Sequence, residues 1–370
     1  MRIALIVPGG VDRTGEYRTI PAVVALVKQL ATRHDVEVFA LRQEASRGEW
    51  LLHGARVHNV GDPVPQLRCV SCIVRGHRAQ PFDIVHAIFG GSCGFAAVAA
   101  AWWIGAPGIV HVAGGELAAL YDIHYGGARR LVTRQRERWT LRRASAVTAA
   151  SAQILEQIAA LGVAASRIPL GVDLAAWPVR PPAARQASEP ARLIHVASLN
   201  LVKDQATLLR AMAALAAAGV DFRLDVFGED TLGSAVQSLA CELGLASRVT
   251  FHGYVTQRRL HPLMTRAHVN LVSSRHEAGP LVVLEAAVVG VPTVGTAVGH
   301  LAEWSPDAAL AVPVGDAAAL AAAVGRLLDD EALRLRLAHE AQRRACEQDA
   351  AYTAACFERL YRSASAARTE

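Results

Sequence analysis

Two series of short apolar runs, each followed by a helix-forming stretch, constrain the fold of this chain more than any other feature. Parallel strands need crossovers long enough to hold a helix, so the alternation implies parallel sheets with helices packed on them. In the first half the strand-like runs are Arg2 to Pro8, Asp35 to Leu41, Ala55 to Val60, Phe82 to Ile88, Gly108 to Ala113 and Ala146 to Ala150, with helices expected over Thr19 to Arg33 and Gly94 to Ile104. The second series comprises Leu193 to Ser198, Arg223 to Phe227, Val249 to His252, His268 to Ser274 and Pro292 to Thr296, with a helix over Asp204 to Ala218 and helices from Asp316 onward. Between the series, Ala176 to Arg192 is rich in proline and poor in periodic hydrophobics, as a linker is. The expectation is an α/β chain of two Rossmann-like, doubly wound domains over 1–175 and 192–346, a linker over 176–191, and a C-terminal helix over 347–370 that packs back on the first domain. Such a pair leaves a central cleft between the carboxyl ends of two sheets, where open α/β proteins bind ligands.

Composition removes several functional classes. With 370 residues, 52% hydrophobic and 19% charged, the chain has far too much apolar surface to be disordered. Its most apolar stretch, GFAAVAAAWWIGAPGIV, is broken by Gly105, Pro107 and Gly108, so no transmembrane helix is expected. MRIALIVPGG has a single Arg, an apolar run of strand length and no small-residue cleavage site, which makes a cytoplasmic location the expectation. A net charge of +5 is small for this length, and no helix-turn-helix, zinc-finger or RNA-binding signature accompanies it, so no nucleic acid is expected. Cys69 and Cys72 lack the second pair that a zinc ribbon needs, and read as incidental thiols. The basic residues are almost all arginine; the only lysines are Lys28 and Lys203, which makes each retained lysine informative.

The sharpest local signal is SSRHEAGPLVVLEAAVVGVP, Ser273 to Pro292. It leaves an apolar strand, crosses a short polar loop holding Glu277, and enters an apolar helix through Pro280, a residue tolerated where no intrahelical N–H partner is needed. Glu285 is the only ionisable residue of that helix, and a carboxylate there is costly unless it is paired or bonded to donors. The free N–H groups of Leu281 and Val282 form an anion site. Carboxylates for sugar hydroxyls beside N–H groups for phosphate suit a nucleotide-sugar donor. Alternatively, Glu277 is a carboxylate favoured by the helix dipole and Glu285 a member of a core ion pair.

Glu277-x7-Glu285 followed by AAVVGVPTVGTAVGHLAEW resembles the signature of retaining GT-B glycosyltransferases of glycosyltransferase family 4. So do, in order, the strand entering Gly9-Gly10, GGEL at Gly114 to Leu117, IPLGVD at Ile168 to Asp173, VASLNLVKD at Val196 to Asp204, VFGED at Val226 to Asp230 and FHGYV at Phe251 to Val255. The resemblance implies that Glu277 and the N–H groups after Gly279 hold the transferred sugar and diphosphate, that Glu285 binds the ribose diol, and that Lys203 contacts the diphosphate. It further implies that Gly253, Tyr254 and Val255 frame the nucleobase, and that Gly9 and Gly10 let the backbone approach the donor. Where the family often has Gly-Arg this chain has Ala197-Ser198, so Ser198 stands in place of one phosphate-binding cation. Many members have a His before the glycine at the end of the strand entering GGEL; here Ala113 stands there, and His111, two residues earlier, is either its substitute or a packed strand histidine. The downstream Gly-Gly is Gly299-His300 here, leaving Glu303 with a plausible role.

The function expected is retaining transfer of a sugar from a nucleotide donor, UDP- or GDP-linked, to a hydroxyl of an acceptor glycan or lipid-linked sugar, without cofactor or metal, because no Asp-x-Asp follows a strand. A nucleotide-sugar epimerase of the same fold and a catalytically silent binding protein are the alternatives. Ala128 to Arg143, with seven arginines and Trp139, suits anionic lipid head groups at the inner membrane face or an anionic acceptor, and equally an ordinary solvated face.

Overall fold

In the computed structural model, which describes residues 1–186 and 188–366, the contacts divide the chain into Met1–Asp173 with Gln348–Glu370, and Leu174–Glu347. Ala187 and residues 367–370, parts of the expected linker and C-terminal helix, lie outside the described residues.

The first unit contains β1 (Arg2–Val7), α1 (Pro21–Ala31), β2 (Asp35–Ala40), β3 (Gly48–Leu52), β4 (Ala55–Asn59), α2 (Pro65–Ala79), β5 (Ile84–Ile88), α3 (Gly91–Ile104), β6 (Gly108–Val112), α4 (Leu131–Arg143), β7 (Ala146–Ala149), α5 (Ala152–Ala159) and β8 (Ser166–Arg167). Its sheet order is β3-β4-β2-β1-β5-β6-β7-β8, parallel except where β3, an edge strand that the apolar runs did not announce, pairs antiparallel with β4, which the run Ala55 to Val60 did. β1 and β5 are buried along their whole length, as strands covered on both faces must be. α4 starts at Leu131, after a 3₁₀ turn over Gly127–Arg129, not at Ala128.

The second unit contains β9 (Ala191–Val196), α6 (Gln205–Ala217), β10 (Phe222–Phe227), α7 (Ala235–Glu242), β11 (Val249–Gly253), α8 (Gln257–Met264), β12 (Val269–Val272), α9 (Leu281–Val288), β13 (Thr293–Thr296), α10 (His300–Trp304), β14 (Ala309–Val312), α11 (Ala317–Asp329) and α12 (Glu331–Glu347). All six strands are parallel, in the order β11-β10-β9-β12-β13-β14. That is the doubly wound 3-2-1-4-5-6 order, whose direction reverses between β9 and β12. Asp204 caps α6 by accepting the N–H and hydroxyl of Thr207, and Asp316 caps α11 through the Ala319 N–H. The last helix, α13 (Ala350–Ala366), belongs to the first unit: Thr353 there accepts the Gly171 N–H at 2.9 Å and donates to the Pro169 carbonyl at 2.7 Å.

The segment expected as a linker is tied down. Trp177 is buried, the Arg185 N–H donates to Glu331 at 2.8 Å, and Gln342 donates to the Arg180 and Val288 carbonyls at 2.6 and 2.8 Å. Prolines deny it regular structure, but not packing onto the second unit.

Candidate active site

The strand reversal in the second unit opens a pocket of about 190 Å³ between the ends of β9 and β12, lined by His195, Ala197, Lys203, Ser274, Glu277 and the start of α9. The β12–α9 loop is fixed from below: the Ser273 hydroxyl donates to the Lys203 carbonyl at 2.7 Å, and the Arg275 N–H donates to the Val202 carbonyl at 2.7 Å. Lys203 Nζ lies 2.5 Å from Glu277 Oε1, and the Ser274 hydroxyl donates to the same oxygen at 2.6 Å. Glu277 Oε2 has no partner among the described residues. α9 then begins at Leu281 with Pro280 as its N-cap; the N–H groups of Leu281 and Val282 precede the first that can bond within the helix, and both residues line the pocket with Gly279.

His195 is a pocket residue that the sequence did not mark. It donates from Nδ1 to the Leu271 carbonyl at 2.9 Å and accepts from Gln205 Nε2 at 3.2 Å, and burial lowers its pKa to about 4. It is therefore a neutral wall with a fixed tautomer. Only its burial on β9 reveals this, and a lone His in a strand carries no such signal.

Other expected residues lie elsewhere. Ser198 is exposed, and only its carbonyl is engaged, by Gln205 Nε2. Gly253 has φ +67°, and its carbonyl accepts the Gly228 N–H at 2.9 Å; Tyr254 and Val255 follow at the mouth of the β11–α8 loop, outside the pocket lining. Glu285, the residue expected at the ribose, lies on the buried face of α9. It is 3% exposed, and burial raises its pKa to about 8 while a hydrogen bond with Gln257 works against that shift. At neutral pH it is a protonated carboxyl, within a chain that continues from Gln257 to Trp177 Nε1 at 2.5 Å. That chain joins Glu285 to the loop that carries Gly253, Tyr254 and Val255.

In the first unit, Gly10 has φ +79°, and a Cβ there would fall inside the Ile20 side chain. The N–H groups of Gly10 and Val11 donate to Gln43 Oε1 at 2.6 and 3.0 Å. Gly10 is thus required by local packing, and its N–H is bonded to Gln43. His111 has the surroundings of the second of its two readings, a packed strand histidine. It is fully buried on β6, bonded through Nδ1 to the Thr148 hydroxyl at 2.8 Å and set edge-on to Phe357, and burial lowers its pKa to about 3. What the ends of β5 and β6 do present is a carboxyl pair. Glu116 accepts the Gly90 and Gly114 N–H groups at 2.8 Å, and Glu137 accepts the Gly91 N–H at 2.8 Å. Burial, and then the charge of Glu116, raise the pKa of Glu137 to about 7. Neither was singled out in the sequence; Glu137 is hidden within the arginine run.

Residues 20–171 match the family described as glycosyl transferase 4-like domain, and 181–344 match glycosyl transferases group 1. Over 99% of its length the chain superposes on all of a sucrose-phosphate synthase from Thermosynechococcus elongatus, with a TM-score of 0.80 at 21% identity. The chain belongs to the GT-B glycosyltransferases. The similar Anabaena protein HepE, solved with UDP and glucose, gives a TM-score of 0.74 at 18% identity, covering 98% of this chain and all of that one. Among curated proteins, the glycogen synthase of Mycobacterium tuberculosis is 30% identical over 214 residues, 56% of this chain and 51% of that protein. The chain thus spans about half the length of such relatives. No helix among the described residues is long and apolar enough to cross a membrane.

Proposed function

We propose that this chain is a retaining glycosyltransferase that moves a hexosyl group from a nucleoside-diphosphate sugar to a hydroxyl of an acceptor glycan or lipid-linked sugar, in glycan, polysaccharide or glycolipid synthesis. The pocket at the β9/β12 reversal carries this reading: one lysine, one carboxylate and a helix N-terminus converge in a space that fits a diphosphate and part of a sugar. With donor bound, Lys203 would turn from Glu277 to the diphosphate, and Glu277 Oε2 would accept hydroxyls of the sugar. The bond from the anomeric carbon to the diphosphate oxygen breaks, the acceptor hydroxyl attacks from the same face, and its proton passes to the departing diphosphate. No side-chain nucleophile is needed, and rate comes from orientation and from charge stabilisation built before the reaction. Lys203 and the N–H groups of α9 make a divalent metal redundant on this reading.

A panel of UDP-, GDP-, ADP- and TDP-sugars tests the claim by thermal shift. UDP donors head the panel because HepE, of like fold, was solved with UDP-glucose. A true donor at a hundredfold excess over its dissociation constant should stabilise the protein by about 2.7 kcal/mol, and Lys203→Ala should shrink the gain. No response to any donor would remove the reading.

An anionic membrane surface is the proposed place of action. α4 carries its arginines beside the exposed Leu131 and Val132, and α3, which packs on it through Phe95 and Trp139, ends in Trp102 and Trp103, 79% and 63% exposed. Basic side chains and exposed tryptophans suit the head-group layer.

A further inference from the structure

A trough on the first unit has no part in the transfer chemistry. Cys69 and Ile73 anchor α2 to the core with Phe39 and Phe82, while the β3–β4 hairpin carries the sheet beyond the helix. A cavity of about 560 Å³ opens between them, a volume typical of small-molecule sites.

Its floor is a chain of charges. Arg2 pairs with Glu37 at 2.5 Å; His58 bonds Glu37 through Nε2 and Glu49 through Nδ1, both at 2.9 Å, and lies flat on Phe39 with ring centroids 4.9 Å apart. Burial opposes a charge on His58, yet the two carboxylates prevail and its pKa is raised. Both carboxylates of the trough are therefore already engaged. Arg47, Arg56 and Arg75 also line it, and none of the three has a carboxylate partner among the described residues; Arg75 lies 4.0 Å from Cys72 Sγ. Three arginines lining one cavity, with its two carboxylates engaged by Arg2 and His58, leave it net positive, and a bound anion offsets that charge.

We propose that this trough is a second binding site, taking a small soluble anion of the phosphate class between Arg47, Arg56 and Arg75. Guanidinium is the side chain suited to it, because its planar fork meets phosphate oxygens two at a time, whereas a single lysine meets them as a point charge. The site is independent of the donor reading, since it shares no residue with the pocket that holds Lys203.

Cys72 lines the trough and reports on it, while the exposed Cys241 serves as an internal reference. The rate of iodoacetamide labelling at each cysteine is followed by mass spectrometry on the full chain, with and without inorganic pyrophosphate. Occupancy slows labelling by one plus the ratio of probe to its dissociation constant, about tenfold at ten times that constant. Cys72 should be protected to this degree and Cys241 not at all. Protection should persist in Lys203→Ala and vanish in Arg47→Ala/Arg56→Ala, each scored as a ratio within the variant so that altered thiol reactivity cancels. Should the double variant fail to fold, Arg56→Lys, which keeps the charge but loses the fork, must still weaken protection. Unchanged Cys72 labelling at millimolar pyrophosphate, or protection lost in Lys203→Ala and kept without the two arginines, would overturn the proposal.

Discussion

Glu285→Gln separates a buried neutral acid from a charged one. The carboxyl is 3% exposed and its pKa is raised from 4.5 to about 8, so the folded chain keeps a proton that the unfolded chain releases. A carboxyl whose pKa rises on folding contributes stability that is fully present below 4.5 and is lost as the pH climbs to about 8. Each tenfold change in that equilibrium is about 1.4 kcal/mol, so the displacement costs at most about 5 kcal/mol above pH 8 and about 3 kcal/mol at pH 7. Glutamine has the shape of the protonated acid and no charge to lose, and its own carbonyl can accept from the Gln257 amide, whose oxygen stays with the Trp177 indole. The variant should match the wild type near pH 4.5 and gain on it steadily to pH 8. Urea unfolding followed by circular dichroism at each pH measures the difference. A gap between the two proteins that does not change with pH would refute the neutral-acid account, whatever its size.

Lys203→Ala should lower the transfer rate by about a hundredfold, the scale for losing one charge-stabilising group, and excess EDTA should leave the wild-type rate unchanged; full activity in the variant, or activity abolished by EDTA and restored by Mg²⁺, would contradict the proposed chemistry. His111→Asn should keep kcat within about threefold while lowering the thermal midpoint, since the ring is packed under Phe357 and its loss opens a buried site; a large fall in kcat without loss of stability would return it to the reaction. Sedimentation with anionic vesicles should pull down the chain in a salt-sensitive manner, and Arg129→Glu/Arg130→Glu/Arg134→Glu should abolish it, whereas equal binding to neutral vesicles would remove the electrostatic explanation.

Long-period features were the legible ones. Most buried strands of both sheets are runs dominated by apolar residues, so the parallel α/β architecture could be read directly, and Lys203 and Glu277, 74 residues apart, fall around one pocket because their loops leave the ends of the adjacent strands β9 and β12. What could not be read depends on neighbours distant in sequence. The edge strand β3 is only five residues long, and of these Leu52 alone is fully buried. α2 reads as polar because only Cys69 and Ile73 are buried. Glu137 looks like one more charge in an arginine-rich helix, and only the approach of Gly90 and Gly91 makes it a buried acid. The charge state of Glu285 likewise depends on what surrounds it: its spacing from Glu277 is visible, but the lack of any cation beside it is not.

The central claim is transfer with retention at the pocket formed by β9, β12 and α9. The donor that stabilises the protein in the panel is incubated with the enzyme and its acceptor, or with water as the simplest hydroxyl, and the first-formed product is followed by proton NMR at the anomeric position. The account predicts an anomeric configuration identical to that of the donor, appearing in the wild type and suppressed in Lys203→Ala. An inverted first-formed product would contradict it, because a front-face attack assisted by the leaving diphosphate cannot yield that anomer.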